Sequence, residues 1–501
     1  MVWKTCPKCR GEGRIRRPPS KKAKLKHRQM IQEQEQKKNE EISEHHSKRV
    51  KLLSNSTLPP RYEPCKACSQ TGILESKELP EVMDSYPSIA IVGGGLGGLA
   101  LGYGLTLQQA SRALAAFGIQ ALKDGVTSTK HVVHTPDGKQ VGEWGLRKWG
   151  RDKDKKPPKR QNVHIARQAL RRELLDALGG EERVCWGHKL VDMVENQKNG
   201  KFELSFQKKD GSLIRQEADL VVGADGIRST VRKLLLESEG GTTTTTATTA
   251  TTATSLRYLD CLVVLGICSL DLLEKTTTLE SDDLLDGHTV FQTADGSTRI
   301  YLMPYSSTSY MWQLSFPMKH EALAKELAGK GPAALKQEAL QRCGKWHSPI
   351  PDILERTPVD LVSGYPVYDR DLITLDMLEQ INDTTSTKPV VTLIGDAAHP
   401  MSPFKGQGAN QALLDALSLA RSIVRAATNH KDTKRDSKST NVLQAALDDY
   451  HVDMVDRSAI KVKASAEAAK FLHSSVAIQE GNVTRGAAAS SSTDSTPQGT
   501  S

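Results

Sequence analysis

The chain has 501 residues, of which 25% are charged and 38% are apolar, a balance typical of a globular protein with polar extensions. This length predicts about two to four domains. No apolar run reaches about 18 residues, which predicts no transmembrane helix, and the first residues lack the basic-then-apolar order of a secretory signal. We therefore expect an intracellular, cytoplasmic protein whose eight cysteines are reduced or metal-bound.

The net charge of +9 belongs to an N-terminal arm. Residues 1–60 contain 16 basic and 6 acidic residues, whereas the rest of the chain contains 52 basic and 53 acidic residues. The most basic tract, KKAKLKHR at 21–28, has no interleaved aromatic side chains on which bases could stack. Nucleic acid is therefore not an expected partner, and the arm is interpreted as solvated surface or as a contact for a protein.

Two CxxC turns flank this arm, CPKCRGEG at 6–13 and CKACSQTG at 65–72. Together they supply the four thiolates that tetrahedral structural zinc requires, so the predicted ligands are Cys6, Cys9, Cys65 and Cys68. The alternatives are surface thiols that bind no metal, or a redox-active pair of thiols. The other cysteines lie in apolar contexts and are predicted to be core residues: Cys185, Cys261, Cys268 and Cys343.

The paired turns resemble the CxxCxGxG repeats in the cysteine-rich domain of J-domain co-chaperones. This chain has two repeats instead of the family's four, and Gln70 stands where the second repeat should have its first glycine. The resemblance implies a small zinc module over 1–75. The charged stretch at about 21–53 then loops out as a helical, coiled-coil-like arm.

A Gly-rich loop follows the short β-branched strand Ile89–Val92 and gives the first cofactor signal. Gly93 suits a tight turn, Gly95 lets the backbone approach a pyrophosphate, and Gly98 allows the next helix to pack closely on the strand. The N-terminus of that helix favours an anion. Gly-rich turns are common, so the loop alone is a weak indication of a dinucleotide.

Residues 218–229 give the second signal, a buried strand that ends in Asp225-Gly226. Open α/β sheets bind ligands at the carboxyl ends of their strands, so both residues are predicted to contact the cofactor. The alternative is a strand, a turn and a capped helix with no ligand role.

The third signal is GDAAHPMSPFKGQGANQ at 395–411. Asp396 at a strand end suits a ribose hydroxyl, and Gly406 and Gly408 permit close backbone approach to a flat ring. The helix that starts near Ala409 directs its positive end at that ring and favours a reduced, anionic flavin. The predicted site also includes Pro403 and Asn410, whereas His399 is interpreted as a structural histidine.

In this order, and over roughly residues 88–475, the three signals resemble the FAD-dependent aromatic hydroxylases of the para-hydroxybenzoate hydroxylase type. The resemblance implies that the Gly loop binds the ADP half of FAD, that the Asp-Gly motif serves FAD and transient NAD(P)H, and that the Gly-Asp motif binds the ribityl chain. It also implies that Arg167 contacts FAD. The alternative interpretation of Arg167 is a charged residue on the surface of a helix. The implied reaction is hydroxylation of a small aromatic substrate with NAD(P)H and O2.

The implied fold is α/β, with an FAD-binding Rossmann-like domain in two parts, an inserted mainly antiparallel β substrate domain and the N-terminal zinc module. A strand meander is expected at 288–317, with a turn at Asp295-Gly296. Four of its side chains are candidates either for the lining of a cavity or for the core: Tyr301, Met303, Tyr310 and Trp312. No catalytic residue is assigned. The predicted boundaries are 1–75 (zinc module), 76–235 and 386–475 (FAD domain), 236–256 (Thr-rich insertion), 257–385 (substrate region) and 476–501 (disordered tail).

One element of the dinucleotide fold is missing from the sequence. An acidic residue is expected about 20 residues past the Gly loop, on the second strand, for the adenosine ribose. No acidic residue occurs from Ser85 through Lys123. Compared with the family, residues 102–119 look like the segment after that strand. We therefore predict that about one βα unit is absent between Leu101 and Gly102, with FAD binding weakened or lost.

Two other functions stay open at this point. One is a flavin reductase or dehydrogenase on the same fold, which forms no hydroxylated product. The other is a zinc-dependent adaptor with a defective flavin domain, which shows no flavin absorbance.

Overall fold

The structure is a computed structural model, and it describes residues 2–5, 8, 14–17, 61–67, 73–76, 88–103, 122–145, 162–237, 255–273, 283–381, 390–432 and 439–480. The chain divides into two compact units. The first is Met1–Ser85 with Ala427–Asn429, and the second is Tyr86–Ala426 with His430–Ser501.

The described residues of the first unit form four short strands in two antiparallel ribbons: β1 (Val2–Thr5), β2 (Arg14–Arg17), β3 (Arg61–Pro64) and β4 (Ile73–Ser76). β1 pairs with β4, with Thr5 opposite Ile73, and β2 pairs with β3, with Arg14 opposite Pro64. Each CxxC segment therefore connects one ribbon to the other. Cys65 follows β3 and is buried, whereas Cys6, Cys9, Cys68 and the arm at 21–53 lie outside the described residues.

The second unit contains the remaining strands and helices. Its strands are β5 (Ile89–Val92), β6 (Val126–Ser128), β7 (Lys130–His134), β8 (Gln140–Trp144), β9 (Asn162–His164), β10 (Lys189–Asn196), β11 (Lys201–Gln207), β12 (Leu213–Ala218), β13 (Leu220–Gly223), β14 (Arg257–Ser269), β15 (Thr289–Ala294), β16 (Arg299–Ser306), β17 (Ser309–Pro317), β18 (Val362–Asp369) and β19 (Val390–Leu393). The helices described along the chain are α1 (Leu96–Tyr103), α2 (Arg167–Leu178), α3 (Thr230–Glu237), α4 (Glu321–Gly329), α5 (Pro332–Cys343), α6 (Ile350–Arg356), α7 (Leu375–Ile381), α8 (Gly408–Asp432) and α9 (Ser439–Phe471). None of these described helices is long and apolar enough to cross a membrane.

A parallel sheet of order β19-β13-β5 carries the cofactor motifs. β13 and β19 are buried at every position, as expected of strands covered on both faces. β5 is the edge strand of the described sheet, and its Ile89 and Ile91 side chains are 39% and 36% exposed. This open edge is compatible with the predicted loss of a βα unit, which stays a prediction.

The largest sheet formed by the described residues has seven strands in the order β18-β14-β17-β16-β15-β7-β8. Only the β15–β7 pair within it is parallel. The expected meander is present as β15–β17, with Asp295 Oδ1 accepting the Ser297 and Thr298 N–H groups at the turn. β7 and β8 join this sheet from residues 130–144, outside the predicted substrate region of 257–385.

The two faces of this sheet have different roles. On its outer face, Trp312, Leu314 and Phe316 share a core with Leu335, Ile353 and other residues of α4–α6. On its inner face, Cys261, Val263 and Val367 pack against Phe404, which lies within the third motif. Of the lining candidates, Tyr310 and Trp312 therefore belong to the outer core, whereas Tyr301 and Met303 are half-buried on the inner side.

Candidate active site

The three motifs meet at the carboxyl edge of the parallel sheet. Ala224 N donates to Val92 O at 2.8 Å, and Ile394 N donates to Gly223 O at 2.9 Å, so the turns that follow β5, β13 and β19 are neighbours. Such an edge is where open α/β sheets bind their ligands. The structure thus brings together segments that are about 300 residues apart in sequence.

The Gly loop has one open and two crowded positions. A Cβ atom on Gly98 would lie 1.9 Å from Gly93 O, and one on Gly93, whose φ is +121°, would lie 2.4 Å from Ala224 O. A Cβ on Gly95 would meet nothing within 4 Å. Gly93 and Gly98 are therefore needed for packing, while Gly95 leaves backbone open on the side where a pyrophosphate would approach.

Asp225 serves mainly as a helix cap. Its carboxylate accepts hydrogen bonds from Ser229 Oγ at 2.5 Å, Thr230 N at 2.7 Å and Val231 N at 3.2 Å, at the start of α3. Gly226 beside it has a φ of +78°. These contacts are explained by the alternative interpretation of this segment as a strand, a turn and a capped helix. A cofactor contact by Asp225 and Gly226 stays a prediction.

Arg232 links the second motif to the third. Its buried guanidinium donates to Ala397 O at 3.0 Å and to Ala398 O at 2.8 Å. Burial lowers the pKa of Arg232 to about 10, with Arg370 as a further cause, so the group stays protonated at neutral pH. The second motif thereby fixes the backbone of the GDAAH turn.

Asp396 lies where three separate segments meet. A Cβ on Gly408, the first residue of α8, would lie 3.6 Å from Asp396 Oδ1. Burial raises the pKa of Asp396, while His399 and Arg167, the first residue of α2, act to lower it. Within the described residues no hydrogen bond contributes to the pKa of the Asp396 carboxylate, which can therefore accept one from a ligand hydroxyl. These features fit the ribityl chain of FAD.

The backbone turns sharply between Asp396 and α8. A short helical turn at Pro403–Lys405 ends at Gly406, whose φ is +58°. Asn410 Nδ2 donates to Gly406 O at 3.3 Å and holds this turn against the first turn of α8. α8 begins at Gly408, one residue before the predicted start, and it directs its positive end towards this turn.

A buried ion network supports the GDAAH turn, and sequence reasoning did not find it. Asp415 on α8 accepts from Gly395 N at 2.8 Å and contacts His399 Nε2 at 2.6 Å and Arg457 Nη2 at 3.0 Å. Burial opposes ionisation of Asp415, but the interactions with His399 and Arg457 lower its pKa. The contact of His399 Nε2 with Asp415 favours the interpretation of His399 as a structural histidine. The sequence feature that could have indicated this network is the acidic Asp415 within the apolar face of α8.

The inner face of the large sheet has buried donors without acceptors. Arg299 is 5% exposed, and its Nε donates to Gln292 Oε1 at 3.0 Å. Arg299 Nη1 and Gln292 Nε2 are buried and have no partner in the described structure. Burial lowers the pKa of Arg299 to about 10. Buried donors of this kind normally require an acceptor, so this position is suited to a polar group of a ligand.

A cavity of about 680 Å³ opens beside the inner-face residue Cys261, and Arg299 and Gln292 are not among its lining residues. It lies between β14, the end of β18 and α9, and its lining includes Tyr258, Cys261, Pro317, Arg370 and His473. His473 Nε2 lies 2.9 Å from Ser315 Oγ, and Ser315 is paired with Arg299 across β16 and β17. The cavity wall thus adjoins the Arg299 side of the sheet and is large enough for a small aromatic molecule.

Among the predicted core cysteines, Cys261, Cys268 and Cys343 are buried, but Cys185 is exposed. Its apolar neighbours Val184 and Trp186 lie on a surface turn, so the local context was misleading. Among the described residues, no group of His, Cys, Asp and Glu side chains is placed to hold a metal ion.

Comparison with known proteins connects this geometry to a family. Residues 375–446 match the FAD binding domain family. The chain is 26% identical over 360 residues to aurachin C monooxygenase/isomerase of Stigmatella aurantiaca, covering 67% of this chain and 80% of that protein. It is 25% identical over 308 residues to the FAD-dependent monooxygenase thnD of Trichoderma harzianum, covering 60% and 67%.

The fold also matches solved structures. Klebsiella pneumoniae HpxO, solved in complex with FAD and uric acid, superimposes with a TM-score of 0.55 and 18% identity over 77% of this chain and 88% of that chain. The fold is therefore that of the FAD-binding monooxygenases. Together with the curated relatives, it identifies the chain as an FAD-dependent monooxygenase.

Proposed function

We propose that the chain hydroxylates a small aromatic substrate, with FAD as prosthetic group, NAD(P)H as reductant and O2 as the source of oxygen. The observation that carries this proposal is the site around Asp396, whose carboxylate lies beside the N-terminus of α8 and is influenced electrostatically by Arg167. FAD, when bound, supplies the redox and oxygen-transfer chemistry. The protein contributes binding, orientation and exclusion of water.

Different parts of the site have different tasks in this proposal. The backbone at Gly95 and the start of α1 face the pyrophosphate, and Asp396 accepts a hydrogen bond from a ribityl hydroxyl. The N-terminus of α8 would favour negative charge on the bound cofactor. Asp225 and Arg232 hold the two neighbouring turns in place.

The substrate would bind between the third motif and the inner face of the large sheet. Phe404 packs against that face, and its ring contacts His473, which lines the cavity of about 680 Å³. Arg299 Nη1 and Gln292 Nε2 can both donate to an oxygen acceptor on the substrate. This arrangement favours an aromatic substrate that carries a polar or anionic substituent.

The proposal is tested by turnover of the purified chain. The holoprotein is mixed with NADH or NADPH and a panel of aromatic acids and phenols, and NAD(P)H loss, O2 loss and product are quantified. Hydroxylated product in a one-to-one ratio with oxidised NAD(P)H supports the monooxygenase. NAD(P)H oxidation that yields only H2O2 supports the reductase alternative, and a chain without flavin absorbance after FAD is added supports the adaptor alternative.

We also propose that Cys6, Cys9, Cys65 and Cys68 bind zinc. The observation in favour is the pairing of β1 with β4 and β2 with β3, because each CxxC segment then connects the same two ribbons. Zinc analysis of the purified chain should give about one zinc per molecule, as four thiolates hold one tetrahedral ion. Cys65→Ser should lose it and Cys185→Ser should keep it. Absence of zinc from the unsubstituted chain would contradict the site.

The cytoplasm is the proposed location of the protein. The N-terminal unit is the proposed contact for a protein partner. Its basic arm and zinc module contain none of the residues assigned to FAD in the sequence. Pull-down with the full chain and with the Cys65→Ser variant tests the contact. A partner retained equally by both would contradict it, and imaging of the tagged chain tests the location.

A further inference from the structure

An exposed tryptophan lies against the Gly loop. A Cβ atom on Gly94 would lie 2.3 Å from Trp186 Cζ3 and 2.7 Å from Cη2, so the indole edge occupies the space beside this glycine. Trp186 is nevertheless 37% exposed. A large aromatic side chain that is packed on one edge and still partly exposed is typical of a binding surface.

Arg171 from α2 completes this arrangement. Its Nε donates to Gly94 O at 2.9 Å, and its guanidinium lies over the Trp186 ring at 4.7 Å from the centroid. Cation–π contact of this kind orients both groups. The Arg171 Nη groups make no hydrogen bond within the described residues, so they remain available to an anion near the loop.

The turn that carries Trp186 is itself fixed. Trp186 N donates to Val184 O at 3.0 Å, His188 Nδ1 lies 2.8 Å from Trp186 O, and Gly187 has a φ of +73°. The indole is therefore held beside the loop by local backbone geometry as well as by Arg171.

The sequence explains why such a surface is needed here. The fold normally anchors the adenosine ribose through an acidic residue on its second strand, and this chain has no acidic residue from Ser85 through Lys123. A stacking surface and an arginine at the same loop offer an anchor of different chemistry. Every base has a π-face, and Arg pairs well with phosphate.

We propose that Trp186 and Arg171 bind the adenine half of FAD, with the indole stacking on the adenine ring and the guanidinium pairing with the phosphates. This inference rests on the proposed FAD function and names the residues that take over the task of the missing acid. Gly94 has a role as well, because any side chain there would displace the indole.

The test is calorimetric titration of the full chain with FAD and, separately, with ADP. Trp186→Leu is expected to weaken the binding of both ligands by about tenfold or more, and Trp186→Phe, which keeps an aromatic face, is expected to retain most of the affinity. Arg171→Met should also weaken both. Arg172→Met is the matched control, since it removes the same charge from the neighbouring, exposed position of α2.

The outcomes separate this inference from the function on which it rests. FAD binding that is unchanged in Trp186→Leu overturns the role of the indole while the proposed function stands. ADP binding without FAD binding supports the adenine site and contradicts the flavoenzyme. Binding of neither ligand by the unsubstituted chain overturns both. Equal losses in Arg171→Met and Arg172→Met show a general charge effect and overturn the role of Arg171.

Discussion

His399 Nε2 lies 2.6 Å from Asp415 Oδ2, and the same oxygen accepts the Gly395 N–H at 2.8 Å. One carboxylate of α8 therefore holds the first and last residues of the GDAAH turn. Asp396 lies between these two anchors, so its position depends on a residue that does not face the ligand. Arg457 of α9 binds the other oxygen at 3.0 Å and compensates the buried charge.

Asp415→Asn is expected to lower both stability and FAD affinity. The substitution leaves Arg457 without its buried counter-charge, a change that costs about 3 kcal/mol or more in the free energy of unfolding. It also releases the GDAAH turn, so FAD affinity should fall by at least about tenfold, or roughly 1.4 kcal/mol. Urea unfolding and flavin fluorescence titration measure the two effects.

Asp453→Asn is the control for this experiment, because Asp453 binds the same Arg457 Nη2 at 3.2 Å but is exposed. It should change stability by less than about 1 kcal/mol and leave FAD affinity unaltered. If both variants behave alike, the carboxylate of Asp415 has no special role in the turn.

Two glycines of the same loop should respond differently to alanine. Gly98→Ala places a Cβ 1.9 Å from Gly93 O, so α1 must move and the melting temperature should fall. Gly95→Ala meets nothing within 4 Å, so the fold should be unaffected while the methyl group enters the space of the pyrophosphate. We expect Gly95→Ala to melt like the unsubstituted chain but to bind FAD more weakly. Normal FAD binding by Gly95→Ala would show that the ligand does not approach this side of the loop.

Arg299→Met should separate substrate binding from stability. The buried guanidinium has a partner for Nε but not for Nη1, so an apolar side chain of similar volume should cost no more than about 1 kcal/mol and could stabilise the fold. Binding of the aromatic substrate should fall at the same time. Arg342→Met is the control for the removal of an arginine. The Arg342 guanidinium is paired with Glu338 and lies over the ring of Phe316 on the outer face of the sheet. A large loss of stability in Arg299→Met would identify the arginine as a structural group.

Much of the site could be predicted because its signals are local. The strand that ends at Val92, the Asp225-Gly226 turn and the start of α8 each depend on residues within about a dozen positions, and the parallel-sheet rule brings such strand ends together. The Asp295-Gly296 hairpin is local in the same way.

The parts that sequence reasoning missed depend on distant pairings. Asp415 and Arg457 are 42 residues apart, and Arg171 and Gly94 are 77 apart. Nothing in a single sequence specifies that α8 packs on α9 or that α2 reaches the Gly loop. β7 likewise joins the large sheet only through its parallel pairing with β15. Such contacts are decided by the packing of whole elements, which local propensity does not encode.

Acid should weaken the parallel sheet through Asp219, the last residue before β13. Its Oδ2 accepts from Ser88 N at 2.7 Å, Ser88 Oγ at 2.6 Å and Lys201 Nζ at 3.1 Å, and so ties the start of β5 to β13. Burial acts to raise the pKa of Asp219, but these hydrogen bonds outweigh it and lower the pKa below 3.8. Because the pKa of Asp219 is lowered in the folded state, its contribution to the free energy of unfolding is complete well above pH 3.8. This contribution is lost as the pH falls through the pKa of the folded state.

Asp219→Asn should therefore destabilise the protein near neutral pH by about 1.5–3 kcal/mol, as expected for hydrogen bonds to a charged group. The difference from the unsubstituted chain should be constant near neutral pH and should shrink below about pH 3.8, where the unsubstituted carboxylate also becomes protonated. Urea unfolding at a series of pH values measures it. Asp210→Asn is the control, because the pKa of Asp210 is also lowered but the carboxylate is bound only within an exposed turn, through Ser212. A stability difference for Asp219→Asn that persists unchanged at low pH would show that the effect comes from packing, because a contribution from the charge must disappear once both side chains are neutral.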